Sequence, residues 1–153
     1  MNQGTPIRGN AMNAPDHTPA PGRGAPRLAG LERMLERLGD TLAAESPSEV
    51  EAAAAIHFFE VTTELAWKAV KDRLDAEGLV VRSPKAAFRH ALQQGWASTH
   101  DTEALLVMVD KRNEFSHRCD EGLLREVRVI GERFLPALRR LHDRLVQEAG
   151  DAR

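Results

Sequence analysis

An all-α fold, an antiparallel bundle of four to five helices, is predicted by three observations. Apolar residues recur at spacings of three and four through most of the chain, the period that puts them on one face of a helix. Pro, Gly and Ser-Pro breaks fall between these stretches, where helices start and stop. No stretch alternates apolar and polar residues as a half-buried strand would.

Residues 1–26 hold five of the 8 prolines and only Met1, Ile7 and Met12 as sizeable apolar side chains. Such a segment buries too little surface to offset its ordering entropy. It is expected to be a disordered, mildly basic tail, followed by a folded domain over residues 27–148 and a flexible C-terminus over 149–153. Leu28, Leu31, Leu35, Leu38 and Leu42 form the apolar face of the first helix. Ser46-Pro47 ends it. Ser48 suits an N-cap, with Glu49 and Glu51 in a first turn whose dipole favours acids.

The second helix is predicted from about Glu49 to Glu77. It carries two apolar stripes, one through Ile56, Phe59, Thr63, Trp67, Val70 and Leu74, the other through Phe58, Val61, Leu65 and Ala69. A helix buried on two sides is central in a bundle. Gly78 stops it. Ser83-Pro84 opens a third helix, because proline's missing N–H would be unpaired in a first turn anyway. Ala87, Phe88, Ala91 and Leu92 give its core face, and Gly95 ends it. A fourth helix starts between Thr99 and Asp101 and runs through Leu105, Met108, Val109 and Phe115. Asp120 is the expected cap of a fifth, carrying Leu124, Val127, Phe134, Leu138, Leu141 and Leu145. Pro136 lies inside it and conflicts with the carbonyl of Glu132, so a kink is expected near Gly131 and Glu132.

Composition excludes several function classes. With 21 Lys+Arg against 23 Asp+Glu the net charge is -2, unlike a globally basic nucleic-acid coat, although a local basic patch is allowed. One Cys permits neither an intramolecular disulfide nor a multi-Cys zinc site. No apolar run reaches the ~20 residues that span a bilayer, and no secretory signal is evident. A cytoplasmic protein that does not engage membranes is expected. The six His (17, 57, 90, 100, 117 and 142) lack second ligands at usable offsets, so neither a metal nor another cofactor is expected.

One cluster carries chemistry: Arg112-Asn113-Glu114-Phe115-Ser116-His117. Asn113 and His117 share one helix face, and Arg112 and Ser116 the adjoining row. Arg offers a permanent charge and a planar fork suited to phosphate. His titrates near pH ~6.5 and can move protons around a 2′-hydroxyl attack. Together they could cleave RNA without a metal, the Arg stabilising the charged transition state. The same residues also suit an ordinary helix end, where Arg and His complement the dipole. Trp96 after Gly95 could stack on a base or pack in its loop.

Phe59-Glu60-Val61-Thr62-Thr63-Glu64-Leu65-Ala66-Trp67-Lys68 resembles the F-E-x-T-x-E-L-A-W-K signature of the nucleotidyltransferase substrate-binding protein family. Ser83-Pro84-Lys85 resembles its S-P-[RK] segment, and Arg112-Asn113 with Ser116-His117 its R-N-x-x-S-H segment. The matches keep the family's order over roughly residues 30–145. The resemblance places the chain in the HEPN superfamily (higher eukaryotes and prokaryotes nucleotide-binding). It implies a homodimer partnered by a minimal nucleotidyltransferase, in related members a toxin–antitoxin pair. There R-x-x-x-x-H is a metal-independent endoribonuclease motif, which assigns Arg112 and His117 here, with Asn113 supporting and RNA, such as tRNA, as substrate. Ser116 is a further supporting position. Glu60 or Glu64, one turn apart with like charges, is expected to orient Arg112 or His117 from a facing helix.

Related toxins continue R-x-x-x-x-H-x-Y, and the nucleotidyltransferase transfers AMP to that Tyr. Cys119 occupies the position here, and the chain has no Tyr at all. Two functions therefore remain: a ribonuclease held in check by its partner, which the intact Arg112/His117 pair favours, or a non-catalytic subunit that docks on a nucleotidyltransferase and shapes its substrate.

Overall fold

The computed structural model describes residues 23–115 and 122–152. All regular structure there is helical: α1 Gly24–Leu42, α2 Glu49–Ala76, α3 Pro84–Gln93, α4 Thr99–Phe115, α5 Leu123–Val129, a π turn Ile130–Phe134, and α6 Leu135–Asp151. The expected cap Asp120 lies outside the described residues.

Helix α2 packs on every other helix, most extensively on α1, as its two apolar stripes require. Ala52, Ala55, Ala66 and Ala69 are all buried, a row of small side chains that the apolar pattern underrates. Ile56, Phe58, Leu65 and Trp67 are only partly buried against the core. Thr62 and Thr63, buried beside them, donate their hydroxyls to the carbonyls of Phe58 and Phe59 at 2.6 and 2.9 Å, which satisfies groups that would otherwise be costly to bury. Phe59 anchors the centre. It is fully buried, with the Phe115 ring edge-on at 5.6 Å and the Phe134 ring stacked at 5.7 Å.

The helix ends follow the local chemistry. Ser48 and Glu51 form a reciprocal capping box on α2. The Ser83 hydroxyl accepts from the Ala86 N–H, with Pro84 in the first turn of α3. Gly78 and Gly95 adopt φ of 80° and 75°, a conformation that costs L side chains dearly and glycine little. On α3 the core face is narrower than expected, because Leu92 points to solvent while Ala87, Phe88 and Ala91 are buried.

Where Pro136 leads to the expectation of a kink, the structure has a π turn. The Leu135 N–H donates five residues back, to the Ile130 carbonyl. Widening the helix there accommodates a proline ring that a regular helix could not. No described helix is long and apolar enough to cross a membrane.

Candidate functional site

Three sequence segments converge where the C-terminal turn of α4 meets the middle of α2. Glu64 projects from α2 and is about one-third exposed, as is Arg112 from α4. Arg112 Nη2 lies 3.3 Å from Glu64 Oε2. That same oxygen accepts the Trp67 indole N–H at 2.9 Å. The other oxygen, Oε1, is held by Lys68 Nζ at 2.9 Å. The i,i+3 and i,i+4 spacings of α2 put Trp67 and Lys68 one turn above Glu64, so the sequence Glu-x-x-Trp-Lys builds a carboxylate with donors on both oxygens.

Partial burial works against ionising Glu64, but the donors outweigh it. The hydrogen bonds from Trp67 and Lys68, with the positive charges of Lys68 and Arg112, hold the carboxyl below its ordinary range. Glu64 is therefore an anion at neutral pH, and Arg112 is bound to an acceptor fixed from two other directions. Glu64 thus gathers two cations, Lys68 and Arg112, at this surface.

The surroundings extend the arrangement. Lys85, of the Ser-Pro-Lys segment, pairs with Asp110 of α4 at 2.7 Å. Lys111 bridges Glu114 at 3.1 Å and Glu126 of α5 at 3.7 Å. The end of α4 is thus tied to α2, α3 and α5 at once.

Of the residues singled out by sequence, Glu64 meets Arg112, whereas Glu60, half-buried one turn away, joins no hydrogen bond or ion pair among the described residues. Asn113 is exposed beside Arg112. Ser116, His117 and Cys119 lie outside the described residues. Trp67 uses its indole N–H on Glu64 and does not sit fully in the core. Trp96 is 4% exposed with the Arg73 guanidinium 6.0 Å from its ring centroid, so it packs in its loop and offers no face to a base.

Sequence reasoning missed several ion pairs between helices, two of which bear on the ends of α4. One is Lys85–Asp110, whose partners are far apart in the chain. The other is at the opposite end of α4, where Arg140 of α6 grips Asp101 through Nε and Nη2, both at 2.7 Å. Neither follows from helical spacing, since each joins two helices whose rotation the pattern does not specify.

Comparison with known proteins gives three findings. The family model "Nucleotidyltransferase substrate binding protein like" matches residues 26–147. A crystal structure of a protein from Thermus thermophilus is 36% identical, covering 77% of this chain and 97% of that one, with a TM-score of 0.64. More distant in sequence are a toxin–antitoxin with AMP-PNP (16% identity, 82% and 97% coverage, TM-score 0.70) and a tri-AMPylated Shewanella oneidensis HEPN toxin in complex with MNT antitoxin (16%, 82% and 96%, 0.69). These two share the fold. No curated protein matches the chain.

Proposed function

Because the chain belongs to the nucleotidyltransferase substrate-binding protein-like family, we infer that it is the helical partner subunit of a minimal nucleotidyltransferase. The observation that carries this reading is the Glu64–Trp67–Lys68–Arg112 cluster. It is assembled from the family's own motif residues and is only partly buried. Side chains that served the core alone would not be charged and one-third exposed. Such a charged surface suits a polar face of a partner or the phosphates of its nucleotide. The fold shared with the HEPN toxin bound to MNT antitoxin supports the same partner class. The test is coexpression with each minimal nucleotidyltransferase of the same genome, followed by size-exclusion chromatography with light scattering. A stable heterocomplex is expected. Separate elution of both proteins at micromolar concentration would remove the reading.

A second reading is favoured by the grip of Glu64 on Arg112. A phosphate-stabilising guanidinium works best when its position is set beforehand, and Glu64 supplies that setting from a facing helix. In this reading the chain is a homodimeric, metal-independent endoribonuclease, with Arg112 stabilising the transition state, His117 moving protons, and Asn113 and Ser116 supporting. Purified protein without its partner then cleaves tRNA in EDTA and leaves cyclic phosphate ends, and His117→Ala or Arg112→Ala abolishes cleavage. An inactive, folded wild type leaves the docking role alone. In neither reading can AMP be transferred to a phenol, since the chain has no Tyr and Cys119 stands at that position.

A further inference from the structure

Helix α4 connects the Arg112 cluster to a different surface. Asp101 lies eleven residues from Arg112, about 16 Å along the axis at ~1.5 Å per residue. There an open depression of about 710 Å³ is lined by the Gly95–Ser98 loop, His100, Asp101, Arg140 and Arg144. Nothing in the Arg112 chemistry uses it.

Its polar groups are arranged for an anion. The Asp101 side chain is 7% exposed and faces inward, taking the Nε and one Nη2 proton of Arg140. A guanidinium carries five N–H donors. Asp101 uses two of them, and the Arg140 side chain is 58% exposed. A buried carboxylate thus fixes the guanidinium from behind and leaves its outer edge turned to solvent. Arg144 follows one turn later on the same face of α6, about 6 Å along the axis. It is 46% exposed, with one Nη2 contact to Glu148 at 2.8 Å. His100 of α4 and the buried Trp96 of the preceding loop also line the depression. Each arginine thus has one carboxylate partner, Asp101 for Arg140 and Glu148 for Arg144, and keeps further N–H donors for an added anion.

We propose that this depression is a second anion site, which takes a phosphate chain with one phosphate on Arg140 and the next on Arg144. The one-turn separation of the two arginines suits neighbouring phosphates of an extended strand, or the two terminal phosphates of a free tripolyphosphate. Fork-shaped, charge-assisted donors are the groups that hold such oxygens best. Glu148 competes with the second phosphate for Arg144.

The test is fluorescence anisotropy of the full chain with a labelled 2′-O-methyl oligouridylate, which cannot be cleaved, and competition by inorganic tripolyphosphate. Arg144→Gln is expected to weaken binding about five- to tenfold and to lower the slope of log affinity against log salt by about 0.7. Glu148→Gln acts oppositely and tightens binding about two- to threefold, by roughly the strength of a surface ion pair. Displacement by tripolyphosphate identifies the bare phosphate chain as the ligand. Oligonucleotide binding that resists displacement identifies the RNA strand. Both outcomes support the site as long as Arg144→Gln weakens them. The proposal is overturned if the wild type binds neither probe, or if Arg144→Gln and Glu148→Gln bind as the wild type does. A loss caused by Arg112→Ala alone would place the phosphates at the other cluster and equally overturn it. Because Arg144 and Arg112 are separated by the length of α4, this result and the fate of the partner reading are read independently.

Discussion

The two buried or half-buried carboxylates behave differently because different groups surround them. Glu64 is shared by an indole, an ammonium and a guanidinium, so Glu64→Gln removes the charge that holds Arg112 while keeping most of the shape. The paired side chains are one-third exposed, so the expected stability loss is under ~1 kcal/mol. The functional loss is larger, about tenfold in complex affinity or RNA cleavage, measured beside an unchanged melting temperature. Asp101 contributes to stability instead. The Arg140 hydrogen bonds outweigh its burial and hold the carboxyl below its ordinary value of 3.8. Its folded pKa is depressed, so the unfolded chain binds the proton more readily. The stability it supplies is full above about pH 4 and is lost as pH falls through the folded value. Asp101→Asn should therefore cost about 1 kcal/mol at pH 7, discounted for the exposure of Arg140, and the variant's urea midpoint should converge on the wild type's in acid. Arg112 and Glu64 were legible as candidates because both sit in recognisable segments. Asp101 was not, since a lone Asp near a helix start reads equally well as a cap or a solvated charge.

The elements show how far apolar spacing carries. α1 buries Leu31, Leu35 and Leu38 as its leucine period demands. The capping of α2 is stated outright by Ser48-x-x-Glu51, and Ser48→Ala should destabilise the fold by about 1 kcal/mol, seen as a lower urea midpoint with unchanged slope. Pro136 located the π turn to within a few residues, because a missing donor and a ring clash act at fixed offsets. The helix class itself was out of reach: a regular kink and a π turn resolve the same conflict. Of the alanine row of α2 only Ala69 was placed in an apolar stripe, and the other three were missed for a different reason. Ala carries little hydrophobic weight, yet Ala52, Ala55, Ala66 and Ala69 are buried, where small side chains permit close helix approach. Leu92 was misplaced because a short helix has too few turns to fix its face.

At the scale of the molecule, one helix decides the arrangement. α2 carries the core anchor Phe59 and, five residues later, Glu64 of the polar cluster, so the same segment organises the core and presents the site. The all-helical architecture and the family were both legible, the first from periodicity and the second from the ten residues 59–68 with the Arg112-Asn113 segment. The meeting of α2 and α4 was not, because periodicity gives faces and not neighbours. If the Glu64–Lys68–Arg112 cluster is the surface that a nucleotidyltransferase reads, charge reversal there should weaken the complex, and charge reversal at the far end of α4 should not. The decisive experiment is calorimetric titration of the nucleotidyltransferase of the same genome onto the wild type, a Lys68→Glu/Arg112→Glu variant and an Arg144→Glu variant. Binding at least about tenfold weaker is expected for the double variant, a loss of more than ~1.4 kcal/mol, with wild-type affinity for Arg144→Glu. Equal affinity for all three, with the double variant folded, would contradict the assignment of this surface to the partner.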